Sequence, residues 1–112
     1  MSVALTEDAV RNRSKTVTRR LGWKFLKPGD HLTLCRKVMG RKQDEPLVRI
    51  AEVEVLSVRS EQLWMIDEDD VEREGFTGGE FIEPSEFVYF FCEVMGCEPD
   101  TEVTRIKWRS LD

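Results

Sequence analysis

The chain has 112 residues, 40% of them hydrophobic and 35% charged, with a formal net charge of −5. That length suits one domain, residues 1–112, with a modest core, and the composition excludes a disordered chain. No apolar run approaches the roughly 20 residues a membrane helix needs, so no membrane partner is expected.

The charge is unevenly placed. Residues 1–43 carry 11 Lys and Arg against three acids, whereas residues 44–112 carry six against 19. Such a chain is not a bulk nucleic-acid binder, but a local basic face can hold a few phosphates. The acidic half is then expected to face away from it. The opening segment, Met1 to Glu7, lacks the basic region and long apolar stretch of a signal peptide, which points to a cytoplasmic protein. Cys35, Cys92 and Cys97 are odd in number and lack metal-type spacing. They read as reduced thiols that mostly fill core.

In chain order, Thr6-Glu7-Asp8-Ala9-Val10 starts a short helix ending near Arg13, with the Thr6 hydroxyl as cap and acids in the first turn. Lys15 to Arg20 alternates β-branched and charged residues and reads as extended chain entering a strand. Lys27-Pro28-Gly29-Asp30 is a turn. His31 to Val38 is a half-buried strand, with Leu32 and Leu34 on the inner face and His31, Thr33 and Cys35 on the outer. Gly40 to Pro46 reads as a hairpin loop.

Leu47 to Val58 is the longest β signal, and Ser60 to Leu63 is expected to break it. Trp64-Met65-Ile66 starts a strand or docks. Asp67 to Glu74 forms a short acidic helix stopped by Gly75, with Phe76 packed behind. Asp67 to Asp70 reads as a solvated face. Thr77 to Glu83 is a loop. Pro84 begins a helix whose Phe87, Phe90, Phe91 and Val94 recur at helical spacing, and Gly96 stops it. Thr101 to Arg109 is a closing strand with Ile106 and Trp108 inward. Strands with short helices between them suit an α+β, mainly β fold: a small mixed or antiparallel β-barrel decorated with two or three short helices.

Chemistry concentrates in Ser14-Lys15-Thr16-Val17-Thr18-Arg19-Arg20 and in Glu72-Arg73-Glu74-Gly75-Phe76. An amine, a hydroxyl and a carboxylate are the minimum set for activating a weak nucleophile. They also serve to grip a nucleotide by phosphate and base edge. His31, the only histidine, reads as surface. No nucleophile elbow is present, and no His or Cys cluster supports a metal, so neither metal nor cofactor is expected.

Lys-Thr-Val-Thr-Arg-Arg, then Trp23, then Lys27-Pro28-Gly29-Asp30, then the acidic helix ending in Glu74-Gly75-Phe76, then a closing strand, together resemble an ASCH domain of the PUA-like superfamily. The resemblance covers roughly residues 10–110 and lies nearest the small ASCH proteins of bacteria and their phages. It implies a PUA-like barrel. It is also similar to a branch of small amidohydrolases acting on N4-acetylcytidine, which use a Lys-x-x-Thr segment and a later glutamate. On that resemblance Lys15, Thr18 and Glu74 are the catalytic candidates, with Glu72 as the alternative to Glu74. They are expected to line one cleft.

The resemblance leaves two functions open. One is an amidohydrolase of an N4-acylated cytidine or related modified nucleoside or nucleotide, working as a monomer or weak dimer. The other is a non-catalytic binder of RNA or nucleotide using Arg19, Arg20 and Lys24. Lys15 can serve as base only if burial or nearby positive charge lowers its pKa, whereas a carboxylate beside it raises it. In a second scheme Glu74 activates water and Lys15 stabilises the oxyanion. The run Arg19-Arg20-Leu21-Gly22-Trp23 departs from the amidohydrolase pattern. Arg19 and Arg20 are candidates for phosphate. Trp23 either stacks on a base or fills core.

Overall fold

The structure is a computed structural model that describes residues 1–36, 46–81 and 83–112. Among these residues four strands form one sheet: β1 (Val17–Arg20), β2 (His31–Cys35), β3 (Arg49–Gln62) and β4 (Glu102–Ser110). Their spatial order is β1-β4-β3-β2, and every ladder is antiparallel. The sheet curls into a half-barrel carrying three short helices, α1 (Glu7–Arg11), α2 (Glu68–Arg73) and α3 (Pro84–Met95). The α+β, mainly β class read from the strand alternation is therefore the observed one.

The chain start extends the sheet on the β2 side. Met1 O accepts from Cys35 N–H, Val3 N–H donates to Cys35 O, and the terminal amine donates to Thr33 O. Arg20, at the end of β1, reaches Ser2 O at 2.6 Å. One guanidinium thus ties the outermost strand to the segment beside the opposite edge.

Two apolar clusters hold the fold. Leu34, Val53, Val55, Ile106 and Trp108 fill the hollow of the sheet with Val3, Val10 and Leu26. Leu63, Ile66, Val71, Phe87, Val88, Phe91 and Val103 form a second cluster under α2 and α3. Ladder partners share a face, so Thr18 opposite Ile106 looks one way and Arg19 opposite Arg105 the other. Both faces of β4 are covered: Val103, Thr104, Arg105 and Ile106 are all buried in succession.

Several local expectations need correction. Thr6 makes no side-chain capping bond, and α1 ends at Arg11. Cys35 is buried rather than outward, because the β2–β3 register shifts between Leu34 and Cys35 and turns it into the core. β2 ends there, and most of the Gly40–Pro46 loop lies outside the described residues. β3 does not break at Ser60. It runs to Gln62 because β4 continues to pair with it, Gln62 standing opposite Glu102. Polar residues carry that extension, so hydrophobic alternation could not reveal it. Leu63–Met65 is a 3₁₀ turn, with Leu63 and Ile66 buried and Trp64 and Met65 exposed. Val94, expected on the inner stripe of α3, is 49% exposed.

Candidate functional site

Lys15 precedes β1 and is held by its backbone. Its N–H donates to Ala9 O at 3.0 Å, and its carbonyl accepts from Trp108 Nε1 at 3.2 Å. Thr16 N–H donates to Arg73 O, joining this segment to the end of α2. Gly75 makes that approach possible. Its φ is +105°, and a Cβ there would stand 2.8 Å from Ala9 Cβ and 3.4 Å from Lys15 Cβ.

The consequence is a buried amine on a buried carboxylate. Lys15 Nζ donates to Glu74 O at 2.7 Å and to Glu74 Oε1 at 3.2 Å. Both side chains are about 95% or more buried, at 3% and 5% exposure. Lys15 Nζ also lies 5.9 Å from the Trp108 ring centroid. Burial pulls the Lys15 amine below its ordinary value. Glu74 opposes that pull, and Arg20 and Arg19 add to it. The net direction is down.

The other oxygen of Glu74, Oε2, accepts from Arg19 Nη1 at 3.2 Å. Arg19 is consumed by carboxylates: Nε and Nη2 bond Glu61 Oε1, and Nη2 bonds Asp70 Oδ2 at 2.6 Å. Asp70 in turn receives both Arg105 Nε and Nη2, and Arg73 Nη1. Burial alone would push Asp70 up. Hydrogen bonds from Arg105, Arg19 and Arg73 outweigh it and hold the carboxyl far below the usual range. Arg19 is therefore a structural cation, not a free phosphate ligand.

Arg20 differs. Its Nε donates to Thr18 Oγ1 at 3.3 Å and its Nη2 to Ser2 O. Among the described residues no carboxylate lies within ion-pair distance of it. Burial lowers its pKa, Glu74 partly opposing, yet a guanidinium stays charged. It is a cation beside the Thr18 hydroxyl with no ion-paired carboxylate among the described residues.

These groups line a half-open cavity of about 190 Å³. Lys15, Thr18, Arg20 and Glu74 form its polar wall. Phe76, Phe87, Phe90 and Phe91 form an aromatic wall, and Ser2 to Thr6 form a rim. The volume is below the roughly 300 to 1,000 Å³ of a drug-sized site, so one flat heterocycle is a better match than a large ligand. Phe76 packs edge-on to Phe81, Phe87 and Phe90, which stiffens that wall.

The structure thus brings Lys15, Thr18, Arg19, Arg20 and Glu74 to one cavity, though 59 residues separate Lys15 from Glu74. Glu72, the alternative, is exposed. Trp23 does not line the cavity; it packs against the core in the hollow of the sheet and against Phe25. Lys24 is exposed and pairs with Glu102. The acidic half does not face away, since Glu61, Asp70 and Glu74 come from it. Asp70, read from the sequence as part of a solvated face, is buried, and the aromatic stripe of α3 both packs in the core and walls the cavity. A signal for Asp70 existed: at helical spacing Asp67, Asp70, Val71 and Glu74 share one face, and apolar Val71 marks that face as inward.

No family model matches the sequence, and no curated protein matches it. Solved structures do. The crystal structure of an ASCH domain from Lactobacillus crispatus JV V101 superposes with a TM-score of 0.62 at 17% identity, covering 95% of this chain and 70% of that one. A protein of Enterococcus faecalis V583 assigned to the DUF984 family superposes with a TM-score of 0.63 at 16% identity, covering 96% and 71%. The chain has the fold of that ASCH domain.

Proposed function

We propose that this protein is an amidohydrolase that removes the acyl group from an N4-acylated cytidine or a related modified nucleobase. One observation carries the reading: a fully buried lysine with a lowered pKa shares a small aromatic-walled cavity with a threonine hydroxyl and a glutamate. Lys15 takes the proton of Thr18 Oγ1, and the oxygen attacks the acyl carbonyl. Lys15 then protonates the leaving amine, and water hydrolyses the Thr18 ester. Arg20 Nε, already on Thr18 Oγ1, stabilises negative charge there.

The arrangement favours this scheme over one in which Glu74 activates water. Both Glu74 oxygens already accept hydrogen bonds, Oε1 from Lys15 and Oε2 from Arg19. A carboxylate so occupied orients the amine. Lys15 and Thr18 are not directly hydrogen-bonded to each other; such contacts commonly tighten only when substrate seats. The aromatic wall supplies the face on which a pyrimidine rests.

A second reading rests on Arg20. A cation at a cavity wall with no ion-paired carboxylate among the described residues also suits a non-catalytic module that binds a nucleotide or RNA end by phosphate. Incubation with N4-acetylcytidine separates the two. The amidohydrolase releases cytidine, and Lys15→Ala and Thr18→Ala each lower turnover about a hundred- to ten-thousandfold. The binder releases none, and its oligonucleotide affinity falls steeply with salt.

A further inference from the structure

The back of α3 carries chemistry that the candidate site does not use. Cys92 lies in its last turn, and Gly96, at φ +66°, reverses the chain just beyond. Cys97 follows, and its N–H donates to Cys92 O at 3.3 Å; Gly96 N–H donates to the same carbonyl at 2.8 Å. That is the backbone of a helix-end motif in which the residues flanking the turn touch through their side chains, ordinarily apolar ones. Here the touching atoms are two sulfurs, 3.9 Å apart.

The surroundings separate this pair from the third thiol. Cys35 is 3% exposed and sits among core strands. Cys92 and Cys97 are only half-buried. Both line a solvent-open cavity of about 600 Å³ with Trp64, Tyr89, Glu93, Glu98 and Pro99. A small molecule can therefore reach them. A disulfide needs sulfurs about 2.05 Å apart, so closing the gap takes about 2 Å of movement. Side-chain rotation at a helix end supplies a movement of that size.

We propose that Cys92 and Cys97 are a redox-active dithiol, a modification site for thiol–disulfide exchange with a low-molecular-weight disulfide. In the first step the Cys97 thiolate attacks one sulfur of the oxidant. A Cys97–oxidant disulfide forms, the oxidant's S–S bond breaks, and one thiolate leaves. In the second step the Cys92 thiolate attacks the Cys97 sulfur. The Cys92–Cys97 disulfide forms, and the second half of the oxidant leaves as thiolate. The dithiol loses two electrons and two protons; the oxidant gains both and ends as two thiols.

Burial, then the hydrogen bond and charge of Cys97, push the Cys92 thiol up to about 11. In the proposed order Cys92 is the resolving partner, aided by proximity. The site is on the helix whose other side, through Phe87, Phe90 and Phe91, walls the first cavity. It does not depend on what that cavity binds.

The test uses the full chain, reduced and then freed of reductant. It is incubated with excess oxidised glutathione, alkylated and mapped by peptide mass spectrometry. The expected result is loss of two of the three alkylatable thiols, an internal Cys92–Cys97 disulfide, and full return of both thiols on adding dithiothreitol. Cys92→Ser should instead accumulate glutathione on Cys97. Three free thiols after incubation overturn the proposal, as does unresolved glutathione on Cys97 of the unaltered chain. The wild-type mapping decides the matter even if the serine variant fails to fold.

Discussion

Arg19 and Arg20 are neighbours on β1 and meet opposite environments. Arg19 faces α2 with Arg105 and is surrounded by Glu61, Asp70 and Glu74. Arg20, on the Thr18 face, has a hydroxyl and a backbone carbonyl and no carboxylate within ion-pair distance among the described residues. Strand alternation creates the split, and the acidic face of α2 fills one side of it. One side is neutralised and structural, the other is left charged at a cavity. A basic run in a sequence therefore need not be one functional patch. Here both arginines reach the cavity, and Arg19 is spent on carboxylates while Arg20 is not.

The structural side should fail hardest. Asp70→Ala removes the acceptor shared by Arg19, Arg105 and Arg73 and leaves buried guanidinium charge. A loss of about 3 to 5 kcal/mol in unfolding free energy is expected by denaturant titration. A wild-type-like midpoint would mean the network is dispensable. The pH dependence has a definite sign. The folded pKa of Asp70 lies below its unfolded value near 3.8. Its contribution is fully present above that value and is lost as pH falls through the depressed folded one.

Gly75→Ala comes next. The new Cβ would stand 2.8 Å from Ala9 Cβ at a φ of +105°. The backbone conformation alone costs about 1 to 2 kcal/mol, and the overlap adds to it. A thermal melt should show a clear drop. No drop would mean that α2 is free to shift away from Lys15.

Arg20→Ala probes the cavity side. If an anionic group binds there, affinity for a nucleotide should fall by roughly 1.5 to 3 kcal/mol, and affinity for the matching nucleoside much less. Calorimetry with both ligands reads the difference. Equal losses would remove phosphate recognition and leave Arg20 a role at Thr18 alone. The smallest effect belongs to Lys24→Ala. Its ion pair with Glu102 is exposed on both sides, so Tm and ligand affinity should be unchanged.

The strands of this fold were legible wherever one face is apolar and the other polar, as at Leu32 and Leu34. They were illegible where pairing rather than hydrophobicity holds the chain, as at Ser60 to Gln62. The bulge that buries Cys35 left no trace in composition. At the site, Lys15, Thr18 and Glu74 were named from a resemblance between motifs, and the fold places them at one cavity. The role of Arg19 could not be read, because it depends on carboxylates 42 to 55 residues away. Trp23 was ambiguous for a related reason: whether an aromatic ring faces core or ligand depends on the turn it occupies, and its φ of +61° is set by tertiary context.

The proposed reaction needs Lys15 as a base held ready by burial and oriented by Glu74. The pH profile of kcat/KM for cytidine release from N4-acetylcytidine tests this most directly, run on the wild type and on Lys15→Arg. The rate should rise with pH through an inflection below the ordinary lysine value of 10.5. Lys15→Arg, which keeps the charge but cannot give up its proton, should lose that rise and nearly all turnover. No release by the wild type, a rate independent of pH, or a Lys15→Arg variant as active as the wild type would contradict it.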